Sequence, residues 1–206
     1  NADGTRYITE AMEKSLVNRQ RPRLVFCSSS SVLGKQRDRS KLVTADEPLV
    51  PSDNYSHNKV TCENMIRASQ LQWTILRFNA VPPLRLDQFD PIMFEIGLDG
   101  QVEFVHTLDV GLALANAAES DKIGGKVLLI GGGRNCQFHY RDFFSRILGT
   151  TGVGMLPEEA FGKHPWYSDW MDTSESQALL DYQRHGFEDY LSEIDTLLGW
   201  RKPLIR

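Results

Sequence analysis

Leu24-Val25-Phe26-Cys27-Ser28-Ser29-Ser30-Ser31-Val32-Leu33-Gly34 is an apolar run that breaks off into four consecutive hydroxyl side chains. A short unbroken apolar run of this kind reads as a buried strand of a parallel sheet, whose two covered faces remove the usual alternation. The serines stand at its carboxyl end, the edge at which open α/β sheets bind ligands. Upstream, Tyr7, Ile8, Ala11, Met12 and Leu16 recur at helical spacing behind Asp3, which complements the dipole of a first turn, so a helix is expected over 3–17. Downstream, Gly34 to Asn54 is polar, mixed in charge and broken by Pro48 and Pro51, and reads as a long loop of the length usually kept for function. A helix over 54–69, with Val60, Met65, Ile66 and Ala68 apolar, then leads into a strand from Trp73 to Phe78. Helix, strand, helix, strand implies an α/β fold: a parallel sheet with helices on its faces.

Composition narrows the function classes. The chain has 206 residues, enough for one large domain or two small ones, and 41% of them are hydrophobic, which places it among globular proteins. With 23 Lys and Arg against 27 Asp and Glu the net charge is −4, and no block of like charges appears. A nucleic-acid surface or a polybasic membrane anchor therefore has no compositional support, and a small molecule or another protein is the expected partner. Cys27, Cys62 and Cys136 are odd in number and far apart, which argues for a reducing compartment rather than a disulfide framework. No apolar run approaches the 18 residues of a membrane span and no signal-peptide core opens the chain, so a soluble cytoplasmic protein is expected.

Beyond the prolines at 82 and 83 the pattern becomes shorter and less regular. Helices are expected at 90–97, 108–119, 140–148 and 187–198, and strands at 102–105 and 126–130. A boundary is expected near residues 81–90. Trp166, Tyr167, Trp170 and Met171 form an aromatic cluster read as core or interface packing.

The chemistry concentrates in Tyr55-Ser56-His57-Asn58-Lys59. Residues four apart share a helix face, so the phenol and the ammonium are neighbours. A tyrosine ionises near pH 10 in water, and service as a base near neutrality requires a drop of about three units. An ammonium about 4 Å away, at an effective dielectric near 20, supplies up to roughly 4 kcal/mol of that. Cys136 and His139 are spaced like half a zinc site but have no second pair, and no metal is expected.

Several segments, taken in order, resemble the extended short-chain dehydrogenase/reductases, the NAD-dependent epimerase/dehydratase group. Asn1-Ala2-Asp3-Gly4-Thr5 resembles the family's Asn-x-x-Gly-Thr helix opening, and Phe26 to Gly34 resembles its Ser-Ser-x-x-Val-Tyr-Gly strand end, with Leu33 where the family has Tyr. Tyr55 to Lys59 resembles its Tyr-x-x-x-Lys, Leu76-Arg77-Phe78-Asn79 its next strand, and Val105-His106-Thr107-Leu108-Asp109-Val110 its Val-His-Val-x-Asp-Val segment. The likeness covers about residues 1–150, and it implies a partial Rossmann-like parallel sheet with helices on both faces, in which residues 1–81 are the carboxyl-terminal half of a dinucleotide-binding domain and 82–206 mainly a smaller mixed α/β substrate-binding region.

The resemblance implies an NAD(P)-dependent oxidoreductase, epimerase or dehydratase acting on a carbinol or carbonyl carbon, with a sugar nucleotide among the candidate substrates. Ser29, Tyr55 and Lys59 would be catalytic: Ser29 holds the substrate oxygen, Tyr55 is the acid/base, and Lys59 tunes it and binds the ribose. Ser28, Lys59, Asn79 and Val81 would face the cofactor, NAD or NADP, and Ser30, Ser31 and His106 the substrate. A homodimer built on the helices at 3–17 and 54–69 is implied as well. The family's glycine-rich pyrophosphate turn would precede Asn1, and neither Gly131-Gly132-Gly133 nor Gly149 to Gly154 has the strand before and the helix after that such a turn needs. The 206-residue chain alone is accordingly expected to bind NAD or NADP weakly or not at all. The alternatives are a non-catalytic NAD(P)-sensing or regulatory protein on the same fold and an inactive fragment.

Overall fold

The structure is a computed structural model, and it describes residues 2–15, 22–35, 40–84, 91–164 and 169–199. Helix α1 (Ala2–Ser15) precedes strand β1 (Arg23–Ser29), then come helix α2 (Asn54–Ala68) and strand β2 (Gln72–Phe78). Strand β3 (Gln101–Glu103), helix α3 (Thr107–Glu119), strands β4 (Val127–Ile130) and β5 (Gln137–His139), and helices α4 (Tyr140–Thr151), α5 (Ser174–Leu180) and α6 (Phe187–Leu198) complete the described elements.

β1, β2 and β4 form a parallel sheet in that order, with Ser29 opposite Phe78 and Phe78 opposite Ile130, so the three carboxyl ends lie level. The middle strand is buried from Thr74 to Phe78, as a strand covered on both faces should be, although Arg77 interrupts its apolar run. Alternate side chains of that strand leave for opposite faces. Arg77 meets Glu63 of α2 on one face, whereas Leu76 and Phe78 join Ala113 and Ala117 of α3, Leu128, Ile130 and Leu180 in the core on the other. The sheet is thus covered on both faces, as expected. Its third strand, β4, comes from the part of the chain beyond residue 82.

A second core collects the aromatics of the later segment. Phe104 lies 5.6 Å from Phe187 in an edge-to-face contact, and Phe143 stacks on Phe187 at 5.1 Å. Around them α4 and α6 pack on the antiparallel pair of β3 and β5. A third, small cluster of Val32, Leu33, Val43, Leu129 and Met171 fastens the turn after β1 to β4. Leu33, where the resembling family has Tyr, is buried there.

Several expectations shift. The helix expected over 90–97 is only one 3-10 turn, Pro91–Phe94. Gly97 follows with its N–H on the His164 carbonyl at 3.2 Å, and Ile96 pairs with His164, so the segment joins an extended neighbour instead of continuing a helix. The strand at 102–105 ends two residues early because Phe104 turns to bridge Ala80. The first helix ends at Ser15 in the described residues, and 16–17 lie outside them. α5 and β5 had no strong periodic signal: one is 7 residues long and the other 3. Trp170 is half-buried, donating to the carbonyls of Val102 and Phe138 at 3.2 Å, and Met171 is buried, which fits packing; Trp166 and Tyr167 lie outside the described residues.

Candidate active site

β1 ends in a 3-10 turn, Ser30–Leu33, for which Ser29 is the cap, its hydroxyl accepting from the Ser31 N–H at 3.2 Å. Gly34 closes the turn at φ 86°, where a Cβ would stand 2.7 Å from the Val50 carbonyl oxygen, so this glycine is required twice over. Ser30 and Ser31 are buried, and Ser31 Oγ has no hydrogen-bond partner among the described residues. Ser28 is buried too, its hydroxyl donating to Glu63 Oε1 at 2.6 Å.

α2 brings the second part. Asp53 caps the helix, accepting from the Ser56 N–H at 2.7 Å, and Ser56 Oγ accepts from the Asp53 N–H at 3.1 Å, a reciprocal capping box. Tyr55 therefore sits in a firmly started first turn, half exposed at 50%. One turn on, Lys59 Nζ donates to the Cys27 carbonyl at 2.7 Å. The same ammonium lies 5.0 Å from the Phe26 ring centroid and 5.7 Å from that of Tyr55. Lys59 thus joins the end of β1 to the phenol, and a fixed positive charge stands beside the ring on which negative charge would develop. His57, within the same turn, is exposed.

At the end of β2, Asn79 is buried; its Nδ2 donates to the Asp169 carbonyl at 3.1 Å and its Oδ1 accepts from the Ala80 N–H at 2.9 Å. Val81 is 39% exposed just beyond. His106 is drawn the other way. It is 1% exposed, caps α3 by accepting from the Leu108 N–H at 3.3 Å, stacks on His185 at 4.7 Å and stands 3.3 Å from Glu193. Its described contacts are with α3, α6 and the loop before α6, none with Ser29, Tyr55 or Lys59.

Four ionisable side chains carry no role in the sequence reading. Glu63 and Arg77 form a buried ion pair, for which the signal was a lone arginine inside the apolar strand Ile75 to Phe78. Asp109 accepts from the N–H groups of Arg184 and His185, both at 3.0 Å. Glu103 is buried among three donors, and burial pushes its carboxyl up to about 7 against their pull. Two clefts, of about 680 and 670 Å³, lie away from the Ser–Tyr–Lys set, one between residues 97–100 and 158–164 and the other around Gly132 and His185.

Residues 1–91 match the NAD dependent epimerase/dehydratase family. Solved structures extend the likeness in fold across the whole chain. A UDP-glucuronic acid 4-epimerase from Bacillus cereus, in complex with NAD, is similar over 95% of this chain and 67% of its own, with 20% identity and a TM-score of 0.69. A short-chain dehydrogenase/reductase superfamily protein from Agrobacterium tumefaciens with bound NAD is similar over 98% and 73%, with 18% identity and a TM-score of 0.78. A dTDP-glucose 4,6-dehydratase from Bacillus anthracis, also with NAD, is similar over 96% and 69%, with 15% identity and a TM-score of 0.71. The chain thus spans about two thirds to three quarters of the length of these proteins. No curated protein matches it closely enough to count as a relative. In the family's terms, the Ser-rich strand end, Tyr55 and Lys59 all fall inside the matched segment. No helix among the described residues is long and apolar enough to cross a membrane.

Proposed function

We propose that this chain carries the acid/base face of an NAD(P)-dependent oxidoreductase, epimerase or dehydratase acting on a carbinol or carbonyl carbon, with a sugar nucleotide as substrate. The observation that carries the reading is Lys59, hydrogen-bonded to the Cys27 carbonyl at the serine-bearing strand end and placed beside the Tyr55 ring. Ser29 Oγ holds the substrate oxygen, and Tyr55 Oη takes its proton or returns it. Lys59 stabilises the phenolate charge while that proton is away. An ammonium has three N–H donors, and one is on Cys27, so two are left to reach ribose hydroxyls. Asn79 and Val81 line the neighbouring stretch of the cofactor site, and Ser30 and Ser31 the substrate side, where Ser31 Oγ still lacks a partner. The dinucleotide, when bound, supplies the hydride acceptor. The similar structures crystallised with NAD, two of them of proteins named for UDP-glucuronic acid or dTDP-glucose and one in complex with UDP-glucose, support this choice of cofactor and substrate class. The full-length protein is a homodimer in this reading, joined through α1 and α2; Tyr7 and Ile8 of α1 are 60% and 56% exposed.

The test uses full-length protein loaded with NAD and mixed with each of those three sugar nucleotides, with reduction followed at 340 nm and product by chromatography. Tyr55→Phe is expected to lower turnover about a hundredfold or more while leaving cofactor affinity nearly intact. Lys59→Ala is expected to weaken both. A Tyr55→Phe protein retaining more than about a tenth of wild-type turnover, well outside the acid/base range, would overturn the assignment and favour a sensing role.

A further inference from the structure

The proposed reaction makes no use of a buried charge network that ends one residue from Ser29. Glu63 of α2 is fully buried. It accepts from Arg77 twice, Nε to Oε1 at 3.0 Å and Nη2 to Oε2 at 2.8 Å, and from Ser28 Oγ at 2.6 Å. Arg77, 2% exposed, also donates Nη1 to the Ala45 carbonyl at 2.9 Å, tying in the loop before α2. Ser28 and Arg77 face each other across the β1–β2 ladder, so one carboxylate holds two adjacent strands at the same level. On the helix, Tyr55, Lys59 and Glu63 follow at intervals of four and share a face. Cys27 is therefore held by Lys59 and Ser28 by Glu63, and Ser29 comes next. A buried ion pair is weak evidence for stability, because a well-packed apolar pair in its place is often as stable or more so. What an arginine fork adds is direction, since two parallel bonds fix the carboxylate's orientation as well as its distance.

Resting on the Ser–Tyr–Lys reading above, we propose that Glu63 and Arg77, acting through Ser28, are positioning residues that set α2 against the end of β1 and so hold Tyr55 in line with Ser29. Ser28 is the link, its hydroxyl turned to Glu63.

Glu63→Met alone strands a buried guanidinium and is expected to lower thermal stability, and adding Arg77→Met is expected to restore it. The measurement is the steady-state rate of the full-length, NAD-loaded protein with UDP-glucuronic acid, UDP-glucose and dTDP-glucose, together with thermal melting. In the double variant the melting temperature recovers but kcat stays about ten- to a hundredfold low, the size of a misplaced reacting group, while KM is little changed. Ser28→Ala, which leaves the ion pair in place, lowers kcat in the same direction at unchanged KM and serves as the deciding variant if the double variant does not fold. Recovery of kcat together with stability, or an unaltered kcat in Ser28→Ala, would overturn the positioning role and leave a structural pair. A wild type silent towards all three sugar nucleotides, or an active Tyr55→Phe, would instead bring down the reading on which this role rests.

Discussion

Glu103 shows what a single buried residue can do to the whole stability curve. It is fully buried and accepts from the Gly133 N–H at 3.1 Å, Gln137 Nε2 at 2.9 Å and the Met171 N–H at 2.7 Å. Burial outweighs these donors and raises its carboxyl from 4.5 to about 7. Between those two values the unfolded chain has already released a proton that the folded chain still holds. Folding is therefore favoured by this group below about pH 4.5, and that contribution is lost as pH rises through about 7, by roughly 3 kcal/mol in all. Glu103→Gln has no proton to lose. Urea unfolding from pH 4.5 to 7.5 should show the wild type losing stability relative to Glu103→Gln across that window, and a difference that stays flat would refute the shift.

At the scale of the element, α2 is the piece on which the site depends, and its start is set by local chemistry. Asp53, two residues before Tyr55, and Ser56, the residue after it, satisfy each other's backbone N–H groups. Removing an N-cap carboxylate typically costs about 1 kcal/mol, and the first turn frays before the rest. Asp53→Ala is accordingly expected to lower stability by about 1 kcal/mol and to reduce turnover by more than the loss of folded protein explains, because Tyr55 lies in the frayed turn. Thermal melting and turnover measured on the same sample check both halves. The contrast with residues 91–100 is instructive. There the apolar spacing suggested a helix, but Gly97 and Gly100 give it no continuation, and pairing of Ile96 with His164 took the backbone bonds.

At the scale of the molecule, the sheet is one-sided in its partners: β1 pairs with β2 only among the described residues, and α1 lies on α2 with an apolar flank exposed. In the proposed dimer Tyr7 and Ile8 lie in the interface, so Tyr7→Lys with Ile8→Lys should place like charges across it. Sedimentation of the full-length protein at micromolar concentration is expected to change from dimer to monomer, with the far-ultraviolet circular dichroism unaltered. A wild-type monomer, or a variant that still sediments as a dimer, would count against the assembly.

The features legible in the residues alone are local: the helix ranges of α2, α3 and α6, the strand ending in serines, and the four-residue step from Tyr55 to Lys59, since a helical period and an apolar run are properties of neighbouring residues. The same locality made the charged Arg77 noticeable without naming its partner, which lies 14 residues back on another element. Packing in three dimensions turns Ser28 to Glu63, sets His106 with His185 and Glu193, and gathers donors for Glu103 from 30, 34 and 68 residues away. These groups are buried by crossovers that bring distant segments together, and a buried polar atom takes whichever partner that packing supplies, at a separation no periodicity encodes.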